Sequence, residues 1–544
     1  MATGIDHIMN TPQTAIGKGT VGEPPAAPAG KEGVTVRLFV IFDGTKNNRT
    51  NSAKRLNDPT GHFLKLKGAG SSYGNFYSNP AIHELMNKRR DRKKHEVSLY
   101  IEGIGTEDFS DEAQAAGLPD KKNGNDDILG NGFGAGSTGI REKVDRGVNK
   151  LREQIQGAYN PLKEYIEKII VDVSGFSRGA AAARHFVYRR EFLYGPWPDQ
   201  PRPELVINFV GLYDTVSSFA HQGRSWPAFV GHFVRHGANT DKLFCDDVRE
   251  LGLDMGDVPA QVVHLTAGDE HRQNFSLTNI NTTLKVGKGV ELRLPGVHSD
   301  IGGSYAERDP DNPAMDPSQP IRDLNQEVRE VASRAEQHRL IEEGWYRPEQ
   351  FQERPAAWTA RALDNYGRAL AAQDGVVVPN DPLPPRLRGA RYLTNEYQYL
   401  TLRLMHRFAL GQLGGTHEPL ELADFADDRY VPYQVPPPLA SLADHFESEA
   451  QARGRRPAAR ADEQHPNGTP PEALACRSKE ETHWLRNRYL HRSAKQKGDF
   501  EALGMETRKD ALRLVIPDDD PNFVPPSQRP KPVASARAVP AGER

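Results

Sequence analysis

The chain has 544 residues, more than one hydrophobic core usually holds, so we expect one large domain and a second region. Its formal net charge of −3 is too small to indicate a nucleic-acid-binding surface, and no nucleic-acid partner is expected. Two cysteines, Cys245 and Cys476, exclude a disulfide framework and argue against a cysteine-based zinc site; we expect neither a metal nor a cofactor.

The N-terminal residues 1–33 are rich in Gly, Pro, Ala and Thr, which predicts a flexible arm. They lack a basic start followed by an apolar stretch, so we do not expect a secretory signal peptide. No apolar run in the chain approaches the roughly 20 residues that span a bilayer. The sequence therefore predicts a product made in the cytoplasm, whose export would need another route.

Six short apolar runs, rich in β-branched residues, predict buried strands. They cover residues 34–42, 97–102, 169–173, 204–214, 261–267 and 289–294. Helical patterns lie between several of them, most clearly over residues 140–155. Strands that alternate with helices and are apolar on both faces indicate the α/β class, with a mainly parallel sheet covered on both sides. Reactive groups of such sheets lie in loops beyond the carboxyl ends of the strands.

The α/β pattern places a catalytic domain of the α/β-hydrolase type at residues 34–345. A mostly helical accessory region is predicted for residues 346–518, and a disordered tail for residues 519–544. Within the accessory region, residues 397–408 carry apolar side chains on one side and predict a core-facing helix. The basic and aromatic residues 483–497 predict a solvated helix or, alternatively, a membrane- or partner-binding surface.

A nucleophile motif follows the third predicted strand. Gly175-Phe176-Ser177-Arg178-Gly179 has the form G-x-S-x-G and precedes four alanines, so a strand, a tight turn and a helix are expected in succession. In such an elbow, Gly175 and Gly179 are required because a side chain there would collide with a neighbouring strand or helix. The helix dipole would favour the negative charge that develops during acyl transfer. Ser177 is therefore the predicted nucleophile.

The serine needs a general base, and the base needs an acid that orients it. In this fold the chain order is serine, acid, histidine, which favours His298 as the base, in a glycine-rich loop after the last predicted strand. Asp214 is the favoured acid and Asp269 the alternative; both follow predicted strands. His264, within a predicted strand, is interpreted as a core histidine, and His185, in the helix after the elbow, is expected to point away from Ser177.

The predicted oxyanion hole combines the amide after the nucleophile, that of Arg178, with the early loop of Gly44 and Thr45. Asp43, in the same loop, is interpreted as a loop-fastening group rather than a metal ligand.

A long segment between Asp214 and the next strand, residues 218–258, is a possible lid. Its aromatic residues Trp226, Phe229 and Phe233 lie at helical spacing and could contact an acyl chain, or could belong to a helix packed in the core.

Five blocks, FDGTKNN, YIEGIGT, GFSRGA, GLYDTVSS and GVHSDIGGSY, together resemble the signature of the first class of type VI secretion lipase effectors. The resemblance covers about residues 34–310. It implies phospholipase A activity on bacterial glycerophospholipids, with Ser177, Asp214 and His298 at the triad positions. The family usually has Trp where this chain has Tyr213, and its acidic–arginine block reads GDEHRQNF here, which leaves the role of Asp269 open.

The resemblance also implies partners and a location. It implies a spike protein that carries the effector into the periplasm of a target cell, and a cognate immunity protein in the producer. Two other functions stay open at this stage. One is a carboxylesterase or thioesterase acting on soluble esters, and the other is a hydrolase scaffold that serves as a non-enzymatic binding or delivery module.

Overall fold

The computed structural model describes residues 27–58, 60–62, 71–106, 140–195, 197, 200–220, 244–246, 248–272, 275–305, 326–331, 334–354, 386–454, 474–492, 513 and 515–520. The strands are β1 (Glu32–Phe42), β2 (Glu96–Ile101), β3 (Glu164–Phe176), β4 (Glu204–Tyr213), β5 (Ser218–Ala220), β6 (Phe244–Asp246), β7 (Pro259–Ala267), β8 (Leu277–Thr278), β9 (Gly289–Leu294), β10 (Gln326–Val331), β11 (Phe351–Arg354), β12 (Arg386–Tyr392) and β13 (Val515–Ile516). The α-helices are α1 (Arg49–Leu56), α2 (Asn79–Met86), α3 (Ile140–Gln156), α4 (Arg178–Tyr188), α5 (Val248–Leu251), α6 (Asn281–Lys285), α7 (His298–Gly302), α8 (Arg334–Glu342), α9 (Tyr397–Ala409), α10 (Pro437–Gly454) and α11 (Lys479–Arg488).

Six strands form the central sheet, in the order β2-β1-β3-β4-β7-β9, and every neighbouring pair is parallel. These are the six strands that the apolar runs predict, so the predicted α/β class and parallel sheet are confirmed. The chain moves from β1 to β2 on one side and then to β3 on the other. Ligand sites of parallel sheets form at such a reversal, at the carboxyl ends of the strands. The loops after β1 and β3 are therefore the first place to look for a site.

Side chains of β1 alternate between two hydrophobic clusters, one on each face of the sheet. Val36, Leu38 and Val40 belong to the cluster that α3 and α4 cover. Phe39 and Ile41 point to the opposite face. Alternation is expected because successive side chains of a strand point to opposite sides of the sheet. Burial on both sides explains why the strand sequences are continuously apolar.

The second face of the sheet is covered largely by helices from the C-terminal part of the chain. The apolar side of α9, predicted from its spacing, is buried here, together with residues of α10 and α11. In the segment predicted as a solvated or partner-binding helix, α11 ends at Arg488, and Tyr489 and Leu490 after it are buried. The predicted largely helical C-terminal region is confirmed, with one addition: β10, β12 and β11 form a separate antiparallel sheet.

The domain boundaries stay predictions. A single hydrophobic cluster contains residues from both sides of residue 345, such as Leu265 and Phe446. Most of the predicted arm and tail lies outside the described residues. None of the helices that the structure describes is long and apolar enough to cross a membrane.

Candidate active site

Ser177 lies in the turn between β3 and α4. Its backbone has φ 61° and ψ −129°, a conformation that L-residues rarely adopt, and α4 begins at the next residue. The Ser177 amide donates a hydrogen bond to the Tyr213 carbonyl over 2.9 Å, and the Val216 amide donates to the Ser177 carbonyl over 3.3 Å. Bonds from both sides hold this strained turn against the end of β4, as a nucleophile elbow requires.

The two glycines of the motif are needed for close backbone contacts. A Cβ atom on Gly175 would lie 2.5 Å from the Gly179 carbonyl oxygen. A Cβ atom on Gly179 would lie 2.2 Å from the Asp43 carbonyl oxygen and 2.4 Å from that of Phe42. The second contact is with the loop after β1, so Gly179 brings helix α4 directly against the loop that carries Gly44 and Thr45.

We expect Gly179→Ala to lower the free energy of unfolding by about 1–3 kcal/mol or more, because overpacking against rigid backbone forces the helix and the loop apart. Urea denaturation of the two proteins measures the difference. Gly157→Ala is the matched control, because its Cβ would meet its nearest atoms at 3.6 Å, an ordinary contact. The control should change stability by less than about 0.5 kcal/mol. Equal losses in both variants would contradict this explanation.

Asp214 and His298 are in direct contact. His298 begins α7, and its Nδ1 lies 2.5 Å from Oδ2 of Asp214. Both side chains are buried, and Asp214 is entirely inaccessible to solvent. Because an ionised carboxylate only accepts hydrogen bonds, Nδ1 carries the proton, and Nε2 is left as the basic nitrogen. The pair therefore has the arrangement of an acid that orients a general base.

Two further contacts bring Ser177 close to Asp214 and His298. The ring of Phe176, directly before the serine, packs against the His298 ring with 4.6 Å between centroids. Asp214 directly follows Tyr213, to which the Ser177 amide is bonded. Ser177, Asp214 and His298 thus lie together at the carboxyl edge of the sheet, after β3, β4 and β9.

Asp269, the alternative acid, has other partners. It accepts hydrogen bonds from the Gly296 amide over 2.8 Å and from Arg486 over 2.9 Å. These contacts fasten the loop before His298 rather than the imidazole itself. Of the two candidates, the structure brings Asp214 to His298.

The neighbouring ion pair of Glu270 and Arg272 supports the backbone of His298. Arg272 donates to both oxygens of Glu270, and the His298 amide donates to Glu270 Oε2 over 3.2 Å. Burial works to raise the pKa of Glu270, but Arg272 outweighs it and the pKa falls to about 2. This acid therefore stays ionised at neutral pH and adds a fixed negative charge beside the imidazole.

The pKa values of the central pair move in the direction that a general base needs. Burial lowers the pKa of His298, and Asp214 opposes that effect only in part. Burial would raise the pKa of Asp214, but Arg513 and His298 outweigh it and hold the pKa below its ordinary value. At neutral pH the pair is thus a neutral imidazole beside an ionised carboxylate, the state that accepts a proton from serine.

The loop after β1 is held by Asp43. Its carboxylate accepts hydrogen bonds from the Gly44 amide over 2.7 Å, from the Ser78 hydroxyl over 2.6 Å and from the Tyr100 hydroxyl over 2.5 Å. Asp43 therefore fastens the loop. Because the Gly44 amide is already engaged, Thr45 is the better oxyanion-hole candidate; its buried hydroxyl has no hydrogen-bond partner among the described residues.

His264 and His185, the two other histidines interpreted from the sequence, both contact backbone groups. His264 Nε2 accepts a hydrogen bond from the Thr215 amide over 3.1 Å, while Nδ1 lies 2.8 Å from Glu291. Nδ1 of His185 lies 2.6 Å from the Leu251 carbonyl. Trp226, Phe229 and Phe233 of the possible lid lie outside the described residues. No group of three or more His, Cys, Asp or Glu side chains in the described regions could hold a metal.

Three side chains from the C-terminal part of the chain contact acids of the site, and the sequence gives no local signal for any of them. Arg513 binds Asp214, Arg486 binds Asp269, and His491 lies 2.7 Å from Asp300 of α7. Each of these acids belongs to a different connection, following β4, β7 and β9. The C-terminal part of the chain therefore holds the loops that carry Asp214 and His298.

Residues 198–324 match the family model of the type VI secretion system phospholipase effector Tle1-like catalytic domain. The family resemblance that the motifs predict is confirmed over this segment, which includes Asp214 and His298 and begins after Ser177. A search of curated protein sequences found no match.

Solved structures also resemble the chain. One is the Tle1 effector bound to the VgrG spike from the type VI secretion system, with 23% identity over 90% of this chain and 94% of that chain and a TM-score of 0.49. Another is an uncharacterized protein from Pseudomonas aeruginosa, with 16% identity over 78% of this chain and 52% of that chain and a TM-score of 0.35.

Proposed function

We propose that this protein is a serine hydrolase of the Tle1-like phospholipase effectors, which cleaves acyl esters of glycerophospholipids. The observation that carries the proposal is the buried contact of His298 with Asp214 beside the strained turn of Ser177. Ser177 would act as the nucleophile, Asp214 as the orienting acid and His298 as the general base. The match of residues 198–324 to the Tle1-like catalytic domain supports the substrate class.

In the proposed reaction, Nε2 of His298 takes the proton of the Ser177 hydroxyl while the oxygen attacks the ester carbonyl. The tetrahedral intermediate collapses to an acyl-enzyme, and the protonated imidazole gives its proton to the departing lysophospholipid alcohol. Water, activated by the same imidazole, then releases the fatty acid. The N-terminus of α4 and the loop of Thr45 would stabilise the oxyanion through the amide of Arg178 and a donor of Thr45.

The direct test is hydrolysis of defined lipids. Purified protein would be incubated with vesicles of phosphatidylethanolamine and phosphatidylglycerol, and the products identified by mass spectrometry. We expect a free fatty acid and a lysophospholipid. Cleavage of a soluble ester such as p-nitrophenyl butyrate without cleavage of the vesicles would favour a carboxylesterase. No cleavage of either substrate would reject an enzymatic function.

Delivery belongs to the same proposal. The match to a type VI secretion effector family supports export by such a system. We further propose that a spike protein carries the effector, that it acts in the periplasm of a target cell, and that an immunity protein neutralises it in the producer. Co-purification with the spike protein encoded nearest to the gene would test the first of these. The absence of a stable complex with any spike protein of the producer would count against that route.

The pH dependence follows from the direction of the His298 shift. Burial lowers its pKa, so the imidazole stays neutral below the ordinary titration range of histidine. The lowered pKa of Asp214 keeps its carboxylate ionised over the same range. The rising limb of kcat/KM with pH should therefore have its midpoint below about 6.5, the unperturbed histidine value. A midpoint clearly above that value in a pH-rate profile with p-nitrophenyl butyrate would contradict the neutral imidazole.

A further inference from the structure

A short segment near the C-terminus of the chain, residue 513 and residues 515–520, contacts the candidate site. Its first residue, Arg513, donates from one terminal nitrogen to Oδ1 of Asp214 over 2.6 Å and from the other to Oδ2 over 2.8 Å. We propose that Arg513 is a positioning residue of the reaction, which sets the orientation of the general base through Asp214. This inference rests on the proposed hydrolase function.

The geometry of the contact supports this role. The guanidinium is planar and its two parallel hydrogen bonds define the plane of the carboxylate. The Ala267 amide donates to Oδ1 over 2.8 Å, so Oδ2 is the oxygen directed to the imidazole of His298. Nε of Arg513 donates to the Phe275 carbonyl over 2.7 Å, which fixes the guanidinium in turn. The Phe275 ring packs edge-on against His298, with 4.9 Å between centroids.

The charge of Arg513 is also required by burial. Asp214 is wholly buried, and an ionised carboxylate without a compensating cation is costly in such a place. Among the described residues, the charged groups that act on His298 include Asp214, Glu270 and Arg272, and Arg513 binds Asp214. Arg272 is paired with Glu270, which leaves Arg513 to balance Asp214. Its removal would favour a protonated imidazole, which cannot act as a base.

The segment is anchored independently of Arg513. Its strand β13 pairs in parallel with β8. Beyond that strand, Asp518 forms a fully buried ion pair with Arg184 of α4, the helix that begins after Ser177. Asp518 also accepts hydrogen bonds from the amide and the hydroxyl of Thr282. The segment thus connects the acid of the site with the helix behind the nucleophile.

The test compares Arg513→Gln and Arg513→Lys with two reference variants, Asp518→Asn and Ser177→Ala, in the full chain. We expect Arg513→Gln to lower kcat/KM for p-nitrophenyl butyrate roughly 10- to 100-fold, the range for loss of a hydrogen-bonded charged partner. The rising limb of its pH profile should move to higher pH by about half a unit or more. Arg513→Lys should also lower kcat/KM, but the rising limb of its pH profile should stay nearer that of the parent protein because the charge is kept.

Asp518→Asn breaks the other anchor of the segment and serves as the structural control. It should lower the melting temperature without moving the midpoint of the pH profile. If kcat/KM falls in Arg513→Gln but the midpoint of its pH profile does not move, the proposal is overturned. A kcat/KM equal to that of the parent protein in both Arg513→Lys and Arg513→Gln would overturn it too. If Arg513→Gln does not fold, a parental kcat/KM in Arg513→Lys is sufficient to overturn it. Activity remaining in Ser177→Ala would instead reject the hydrolase function itself.

Discussion

Ser177→Ala should abolish ester hydrolysis, with kcat/KM lower by roughly 10⁴- to 10⁶-fold, because no other described group of the site is placed to form the acyl-enzyme. The strained turn should survive the change, since alanine keeps Cβ and both backbone hydrogen bonds of residue 177 remain. We therefore expect the melting temperature to stay close to that of the parent. Product formation from p-nitrophenyl butyrate and from phospholipid vesicles measures the activity.

Ser174→Ala is the matched control for the loss of one hydroxyl group. Ser174 lies three positions earlier, in β3, and is also buried, and its hydroxyl has no hydrogen-bond partner in the part of the chain that the structure describes. Its removal should leave kcat/KM within about twofold, because the substitution breaks no hydrogen bond of the described residues. Substantial hydrolysis by Ser177→Ala would mean that another nucleophile acts and that the proposed mechanism is wrong.

The parts of the site that could be predicted from the sequence are those with a local signal. Ser177 lies in a five-residue motif between a strand and an alanine-rich helix, and His298 lies in a glycine-rich loop after a strand. The six strands are continuous apolar runs because both faces of the sheet are buried. Since all the strands are parallel, residues that follow them reach the same edge, although they are far apart in the chain.

The supporting residues could not be predicted because their contacts span long distances in the chain. Arg513 and Asp214 are 299 positions apart, and Arg486 and Asp269 are 217 positions apart. Neither arginine belongs to a pattern that indicates a buried partner. The amphipathic spacing of α9 predicts a helix that faces a core, but not that this core lies on the second face of the central sheet.

The loop after β1 shows a different limit. The sequence predicts Gly44 as an oxyanion donor because glycine allows close approach of backbone, and the loop does lie against Gly179. The direction of the amide is not encoded in the residue type, and in the structure it donates to Asp43. The same carboxylate also binds Ser78 and Tyr100, which come from later segments, so its fastening role depends on the assembled fold.

Asp214→Asn should lower kcat/KM by about 10⁴-fold, because an amide that donates to Nδ1 would hold the imidazole in the wrong tautomer. Asp269→Asn is the matched control. It removes an acid that follows a neighbouring strand and binds Arg486, whose side chain is 25% exposed, so solvent screens much of that ion pair. We expect less than a tenfold loss of activity. A larger loss in Asp269→Asn than in Asp214→Asn would assign the orienting role to Asp269.

Asp214→Asn should also destabilise the protein, and this effect can be separated from the loss of activity. The substitution leaves the buried guanidinium of Arg513 without its charge partner, which costs about 3–5 kcal/mol in comparable buried pairs. Adding Arg513→Gln removes the unpaired charge, so the double variant should regain much of the lost free energy of unfolding. It should not regain activity, since the acid that orients His298 is still absent. If stability and activity returned together, Asp214 would be a structural residue rather than the acid of the site.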